Sequence, residues 1–430
     1  DGETIVAHGM YVRDADACAE VAFAVADALQ GEGIATTMLA HLAQAAQSAG
    51  IERFVASVLP DNHPMADVFR CSGFEVAVRA EPGALIFSMP TELEVGAQRR
   101  YDERDAEASA AAVARVLRPR SVAIVGASAR SGSVGGAILR NVLAAGFTGE
   151  VHAVSTRGGT LRGLAAHRSV RDVPGELDLV VIAVPAAAVL GVARDCAAKG
   201  VHALVVVSAG FAETGAGGRE RQRELLGVCR AAGMRLVGPN CLGVMNTDPA
   251  VALNVTFGPV PAPRGRVAFM SQSGALGIAI VDAMREEGIG LSSFVSVGNK
   301  ADLSGNDFLA YWDRDETTDV ILLYLESFGN PRRFSRVARD VASRKPIVAV
   351  KGGRSAVGAR AAGSHTGALL AASDATVDAL FARSGVIRTD TLGELFDVAG
   401  LLAAQPPPAG PRVGVVTNGG GLGILCADAC

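Results

Sequence analysis

From Arg120 onward, short runs of Val, Ile, Leu and Ala alternate with amphipathic stretches. Ser121-Val-Ala-Ile-Val125, Val151-His-Ala-Val154, Leu179-Val-Val-Ile-Ala183 and Ala203-Leu-Val-Val-Val207 form a first series; Arg266-Val-Ala-Phe-Met270, Ser292-Ser-Phe-Val-Ser296, Val320-Ile-Leu-Leu-Tyr324 and Pro346-Ile-Val-Ala-Val350 form a second. Runs this apolar have to be covered on both faces, so the pattern predicts βαβ units around parallel sheets, two doubly wound α/β units in tandem. The longest uncharged apolar run, residues 179–193, contains Pro185 and is shorter than the roughly 18 residues a spanning helix needs, so it reads as a buried parallel strand and its exit loop. No membrane association is expected.

The first ninety residues follow another pattern. Residues 4–10 and 20–25 are strand-like, a helix is expected from about 33 to 49 and a further strand at 54–58, giving a separate α+β domain over 1–90. Residues 91–117, polar first and Ala-rich later, read as a linker becoming a helix. The α/β units then occupy 118–245 and 246–408. Gln405-Pro-Pro-Pro-Ala-Gly-Pro411 marks a boundary, and 412–417 are expected to begin another strand, so that 409–430 open a further domain. A chain that starts at Asp1 and stops at Cys430 inside such a unit is expected to be a piece of a longer polypeptide.

Composition removes several classes of function. With 40 Lys and Arg against 44 Asp and Glu, a net charge of -4 and no basic stripe interleaved with aromatics, nucleic acid is not an expected partner. The seven Cys are scattered with no Cys-x-x-Cys pair, which suggests neither a disulfide framework nor a metal site and fits a reducing cytoplasm.

In the second α/β region, Lys351-Gly-Gly-Arg-Ser-Ala-Val-Gly-Ala-Arg-Ala-Ala-Gly-Ser-His365 places one imidazole among Gly and Ser rather than in an apolar stripe, a setting in which it can act as a nucleophile near pH 7. Ser271-Gln-Ser273-Gly274 stands at a strand-to-helix junction, where amide hydrogens and the helix dipole favour phosphoryl oxygens. Glu326 lies at the C-terminal end of a strand. In the first region, Gly126, Ser128, Gly132 and Gly135 mark another strand-to-helix loop, a nucleotide-phosphate site of Rossmann type. The second strand ends Val154-Ser155-Thr-Arg157 without the acid that would accept NAD ribose hydroxyls, which leaves NADP or CoA.

With Ser208-Ala-Gly-Phe-Ala-Glu213, Val237-Gly-Pro-Asn240-Cys-Leu-Gly243 and Gly298-Asn-Lys-Ala-Asp302, residues 118–430 resemble the NDP-forming acyl-CoA synthetases, relatives of the succinyl-CoA synthetase α subunit. The resemblance implies a Rossmann-like CoA-binding domain, a flavodoxin-like succinyl-CoA-synthetase-like domain, a phosphohistidine at His365, Glu326 as the carboxylate that orients it, and no nucleophilic role for Cys241. It also implies ATP or ADP at an ATP-grasp domain outside this chain or on a β subunit. Residues 1–90, with Gln30-Gly31-Glu-Gly33-Ile-Ala35, Leu59-Pro-Asp-Asn62 and Phe69-Arg-Cys-Ser-Gly-Phe74, resemble the acetyl-CoA-binding half of a GNAT N-acetyltransferase. That resemblance assigns the CoA pyrophosphate to Gln30, Gly31, Gly33 and Ala35, the CoA arm to Asn62, and general-base work to Glu20, which reads equally as an ordinary exposed strand carboxylate. Phe69 and Cys71 stand where many GNAT enzymes carry an acid Tyr.

The expectation is a bifunctional, cytoplasmic, homo-oligomeric CoA enzyme: an acyl-CoA ligase acting on a small acyl substrate through phosphohistidine, joined to an acetyltransferase for a protein lysine. The alternative is an acetyltransferase controlled by a silent CoA-sensing synthetase-like module. An NADP oxidoreductase is a third reading.

Overall fold

The protein, described here from a computed structural model, is defined over residues 5–15, 17–30, 33–92, 95–259, 261–353, 374–405, 408, 410 and 412–430. His365 and Gly31 lie outside the described residues.

The N-terminal sheet has the order β1-β2-β3-β5-β4, with β1 Ala7–Ala15, β2 Cys18–Val25, β3 Arg53–Val58, β4 Ala77–Glu81 and β5 Ala84–Pro90. β1 begins later and runs further than residues 4–10 suggested. β4 escapes a pattern search because each of its residues is exposed. Helices α1 Ile34–Ser48 and α2 His63–Arg70 lay Leu39, Ala43, Ala46, Ala66 and Phe69 on Phe54, Phe87 and Met89. The one parallel pair of this sheet among the described residues, β2 with β3, is in register for Cys18 to Glu20 against Arg53 to Val55 and then stops, although both strands continue. The sheet therefore forks just beyond Glu20.

Residues 91–117, expected to be a linker becoming a helix, form α3 Val95–Leu117, so the helix begins earlier than the Ala-rich part. Its last turns bury Val113, Val116 and Leu117 in a core shared by both α/β units. Its middle turns are fastened from far along the chain. Asp105 accepts from Arg333 Nε at 3.0 Å, and Ser109 Oγ donates to the buried Asp307 at 3.0 Å.

In the next unit, β6 Ser121–Val125 leads to α4 Val134–Ala144, β7 Glu150–Val154, the short β8 Thr160–Leu161 and β9 Leu164–His167; then come β10 Leu179–Ile182, α5 Ala186–Lys199, β11 Ala203–Val206, α6 Ala216–Ala231 and β12 Arg235–Val237. The sheet order is β12-β11-β10-β6-β7-β9-β8, and all pairs are parallel except β8 with β9. Without β8 this is the Rossmann order 3-2-1-4-5-6, whose switch point lies between β6 and β10. The expected exit loop after residue 182 is instead the helix α5, entered through Pro185, whose fixed φ suits a helix start.

The last sheet, β14-β13-β16-β15-β17-β18-β19, is built from β13 Val244–Asn246, β14 Leu253–Asn254, β15 Arg264–Ser271, β16 Leu291–Ser296, β17 Val320–Leu325, β18 Ile347–Lys351 and β19 Ile387–Thr389. Its helices are α7 Gly274–Glu286, α8 Gly305–Arg314, α9 Pro331–Ala342, α10 Asp374–Ser384 and α11 Leu392–Ala404. Its parallel strands follow the flavodoxin order 2-1-3-4-5, with the switch point between β15 and β17. The strand expected at 412–417 is not formed: those residues have no β-partner among the described residues, and only helix α12 Gly420–Ala429 follows. An isolated strand leaves its backbone groups without a ladder, so the apolar run alone does not make one.

Candidate functional site

Ser271 ends β15 and Glu326 follows β17, so the flavodoxin switch point brings together two motifs far apart in sequence. Ser271 Oγ donates to the Ser273 carbonyl at 2.6 Å and accepts the Ser273 NH at 3.2 Å, closing the turn. Ser273 then caps α7 by accepting the Leu276 NH at 3.4 Å. Gly274 opens the helix, where a Cβ would rest in ordinary contact with Leu242 at 3.6 Å.

Between the two serines, Gln272 joins the strand ends. Its Oε1 accepts the NH groups of Glu326 at 2.8 Å and Ser327 at 2.9 Å, and its Nε2 donates to the Ser327 carbonyl at 2.7 Å. The Glu326 side chain is buried and hydrogen-bonded to Tyr324; burial and then the Glu326 charge push the Tyr324 hydroxyl up to about 12. Two lysines face the same carboxylate. Lys300 donates to the Ser327 carbonyl at 3.0 Å and to its hydroxyl, and burial lowers its ammonium to about 8 against the pull of Glu326. Lys351, at the end of β18, is also lowered by burial and drawn the other way by Glu326. Gly352 donates to the Leu325 carbonyl at 2.8 Å, and a Cβ on it would stand 2.7 Å from Tyr324 Oη. The described chain thus runs past Glu326 to Gly353, the position from which the segment with His365 departs.

The Gly126 loop occupies the other switch point. Gly126 has φ +91°, and a Cβ on it would lie 2.4 Å from the Ala183 carbonyl, so the loops after β6 and β10 close on each other. A Cβ on Gly135 would lie 2.2 Å from the Gly126 carbonyl. These two glycines are needed for packing as well as for any ligand. The Gly126 NH is taken by the Val154 carbonyl, and Ser128 Oγ accepts the Arg130 NH at 3.1 Å. Gly132, at φ +75°, faces open space. Ser133 makes no side-chain cap on α4, which leaves that helix start with orphan NH groups suited to an anion. Cys241 is buried, its thiol pushed up to about 12 by desolvation, and it donates to the Val206 carbonyl at 3.3 Å, an environment that suppresses the thiolate.

In the N-terminal domain the fork opens onto a cleft of about 540 Å³ whose lining includes Phe23, Gln30, Gly33, Ala35, Asn62 and Cys71. Four of the CoA-arm and pyrophosphate positions meet there. Two of them also serve the fold: Gln30 Nε2 donates to Asp27 Oδ1 at 2.9 Å, and Asn62 Oδ1 caps α2 through the Met65 NH at 3.2 Å. Gly33, at φ +77°, turns the chain into α1. Glu20 is exposed at the fork and does not line the cleft. Phe69 is core, which leaves Cys71 on the wall.

Sequence reading gave no role to Gln272, Lys300, Lys351 or Tyr324. Gln272 and Lys300 lay inside quoted motifs, and a long polar side chain between two small caps was the available signal.

A Rossmann-ordered sheet followed by a flavodoxin-ordered one, each with a glycine- or serine-rich helix start at its switch point, defines a CoA-handling protein of the succinyl-CoA synthetase type. Family models agree: residues 120–247 match a CoA binding domain, 264–402 a succinyl-CoA ligase like flavodoxin domain, and 1–74 the acetyltransferase (GNAT) family. The α subunit of acetate–CoA ligase [ADP-forming] I from Pyrococcus furiosus is 45% identical over 318 residues, covering 73% of this chain and 68% of the relative. Acetate–CoA ligase [ADP-forming] I from Archaeoglobus fulgidus is 44% identical over 316 residues, 74% of this chain but 45% of its own length. Among solved structures, Ca. Korarchaeum cryptofilum dinucleotide forming acetyl-coenzyme A synthetase 1, in complex with phosphate and ADP, is 45% identical with a TM-score of 0.70, over 74% of this chain and 68% of that one. The chain belongs to the family of ADP-forming acyl-CoA ligases, in the part that corresponds to their α subunit, and carries a GNAT domain ahead of it. It spans less than half the length of the Archaeoglobus relative. No helix among the described residues is long and apolar enough to cross a membrane.

Proposed function

We propose that this chain is the CoA- and phosphohistidine-bearing part of an ADP-forming acyl-CoA ligase, joined to an acetyl-CoA-dependent lysine acetyltransferase. In the ligase half, Gly126, Ser128, Gly132 and Gly135 hold the CoA end of an acyl-CoA. Inorganic phosphate attacks the thioester carbonyl, the C–S bond breaks, and CoA leaves as the acyl phosphate forms. The neutral His365 imidazole then attacks the phosphorus, the P–O bond to the acyl group breaks, and the carboxylate departs. Glu326 accepts the other ring NH and steadies the charge that develops on the ring, while the α7 start at Ser271, Ser273 and Gly274 faces the phosphoryl oxygens. An ATP-grasp domain or β subunit passes the phosphoryl group to ADP; the Pyrococcus relative is itself named as an α subunit.

The observation that carries this reading is the buried Glu326, clamped at the switch point beside the strand end from which the His365 segment departs. The test is incubation of the chain with acetyl-CoA and radiolabelled inorganic phosphate. Acid-labile label on His365, absent from His365→Ala, is the expected result; no label on wild type would remove the ligase assignment.

In the N-terminal half, we infer that Gln30, Gly31, Gly33 and Ala35 cradle the CoA pyrophosphate, Asn62 lies along the CoA arm, and Glu20 takes the proton from a lysine ammonium before it attacks the acetyl thioester. The cleft that Gln30, Gly33, Ala35 and Asn62 line supports the CoA part of this reading, while the role of Glu20, exposed at the fork and off that lining, rests on the resemblance.

A further inference from the structure

Asn299 and Lys300 are adjacent, yet their side chains enter different domains. Asn299 Nδ2 donates to Glu213 Oε2 at 2.6 Å and to Gln222 Oε1 at 2.9 Å, and its Oδ1 accepts from Asn240 Nδ2 at 3.3 Å. Glu213 also holds the Gly210 and Phe211 NH groups of the loop after β11. Burial works against the Glu213 charge, but these donors keep its carboxyl below the usual range. The backbone is tied to the same domain: Asn299, Ala301 and Leu303 donate to the Pro239, Gly238 and Leu236 carbonyls at 3.0, 3.0 and 3.1 Å.

Lys300 turns the other way, to the Ser327 carbonyl and hydroxyl. It does so at φ +53°, a left-handed conformation that a lysine holds only where its surroundings over-determine it. The preceding Gly298 is pressed on the same turn, where a Cβ would lie 2.3 Å from the Pro239 and Asn240 carbonyls. One short segment therefore seats on the CoA-binding domain and reaches the residue next to Glu326.

We propose that Lys300 is a positioning residue: through Asn299 it carries the seating of the CoA-binding domain to the Glu326–Ser327 corner, and so fixes where the Glu326 carboxylate stands for the phosphoryl step. This rests on the phosphohistidine reading above and adds to it a link between the acyl-CoA and phosphoryl stations.

The test uses the whole chain with acetyl-CoA and radiolabelled phosphate, comparing wild type, Lys300→Met, Lys300→Arg and Asn299→Ala. Acetyl-CoA binding, measured separately by calorimetry, reports whether each variant keeps its CoA-binding domain. In Lys300→Met, His365 labelling at saturating acetyl-CoA should slow about tenfold or more, the order expected when a reacting group is displaced by a fraction of an ångström. The acetyl-CoA concentration for half-maximal rate should not move. Lys300→Arg, which keeps charge and donors, should restore most of the rate, and Asn299→Ala should slow labelling in the same sense. Wild-type labelling in a folded Lys300→Met, or a defect that arginine does not relieve, would overturn the positioning role while leaving the phosphohistidine intact. If Lys300→Met does not fold, full-rate labelling in Asn299→Ala overturns it instead. Absence of label on wild type would sink the underlying reading, and this inference with it.

Discussion

Gln272 and Glu326 lie 54 residues apart, and the side chain of one holds the backbone of the other: Gln272 Oε1 accepts the Glu326 NH at 2.8 Å. Replacing Gln272 with Leu leaves this NH and that of Ser327 without an acceptor in a buried corner. A loss of about 2–6 kcal/mol in denaturant unfolding is expected, at roughly 1–3 kcal/mol for each unsatisfied group. Labelling of His365 should fall as well. An unchanged denaturation midpoint would show that the clamp is dispensable.

Glu326→Gln keeps the shape of the side chain and removes its charge. If Glu326 supports the imidazole, the labelling rate should drop about a hundredfold, within the range of groups that manage a proton or charge in the transition state. The check is the initial rate of acid-labile label; equal rates in the two proteins would exclude the assigned role.

Burial lowers the Lys300 ammonium from 10.5 to about 8. Its folded-state value lies below its unfolded one, so holding the charge costs stability at every pH below about 8. That cost declines as pH rises from 8 toward 10.5, where the unfolded chain also releases its proton. Lys300→Met has no such group. Its stability relative to wild type should be most favourable at neutral pH and should decline steadily between these values, as read from denaturation curves across the window. A difference independent of pH would mean that the ammonium is not desolvated.

Gly135→Ala would press a Cβ to 2.2 Å from the Gly126 carbonyl, and its nearest neighbours are backbone atoms of Gly126 and Ala127 rather than a flexible side chain that could yield. A loss of about 1–3 kcal/mol is expected from overpacking, together with loss of CoA affinity in calorimetry. Gly132→Ala meets open space and strains only its φ of +75°, costing about 1–2 kcal/mol. If Gly135→Ala binds CoA as wild type does, the helix start of α4 is not the site.

Glu20→Gln tests the N-terminal half. Acetylation of a lysine peptide by acetyl-CoA should fall about 10²- to 10⁴-fold, the usual range for a general base, while ligase labelling on the same chain is retained. Undiminished acetyl transfer would make Glu20 an ordinary exposed carboxylate.

The parallel strands were legible because burial on both faces leaves little room for polar residues: Leu179–Ile182 and Ala203–Val206 are buried throughout. The elements that escaped notice obey other rules. β12 and β19 are three residues long, too short for a period to register, and β4 is exposed along its length. Only the polar start of α3 read as linker, because the partners of this helix, Asp307 and Arg333, lie some 200 residues away, as Ser109 and Asp105 show. Of the candidate site, whose His365 lies outside the described residues, the sequence offered Ser271–Gly274 and Glu326 as separate motifs. What joins them is long polar side chains reaching across strand ends, and no local pattern encodes which backbone a Gln272 or a Lys300 will grasp.

Helix α3 sets a rule for dissecting the molecule. Because Val113, Val116 and Leu117 are fully buried in the same core as β6 and α8, a ligase half cut to begin at Pro119 would be born with an open wound, greasy and prone to clump. The severable joint lies upstream of α3, so the helix travels with the ligase half even though it follows directly after the acetyltransferase fold.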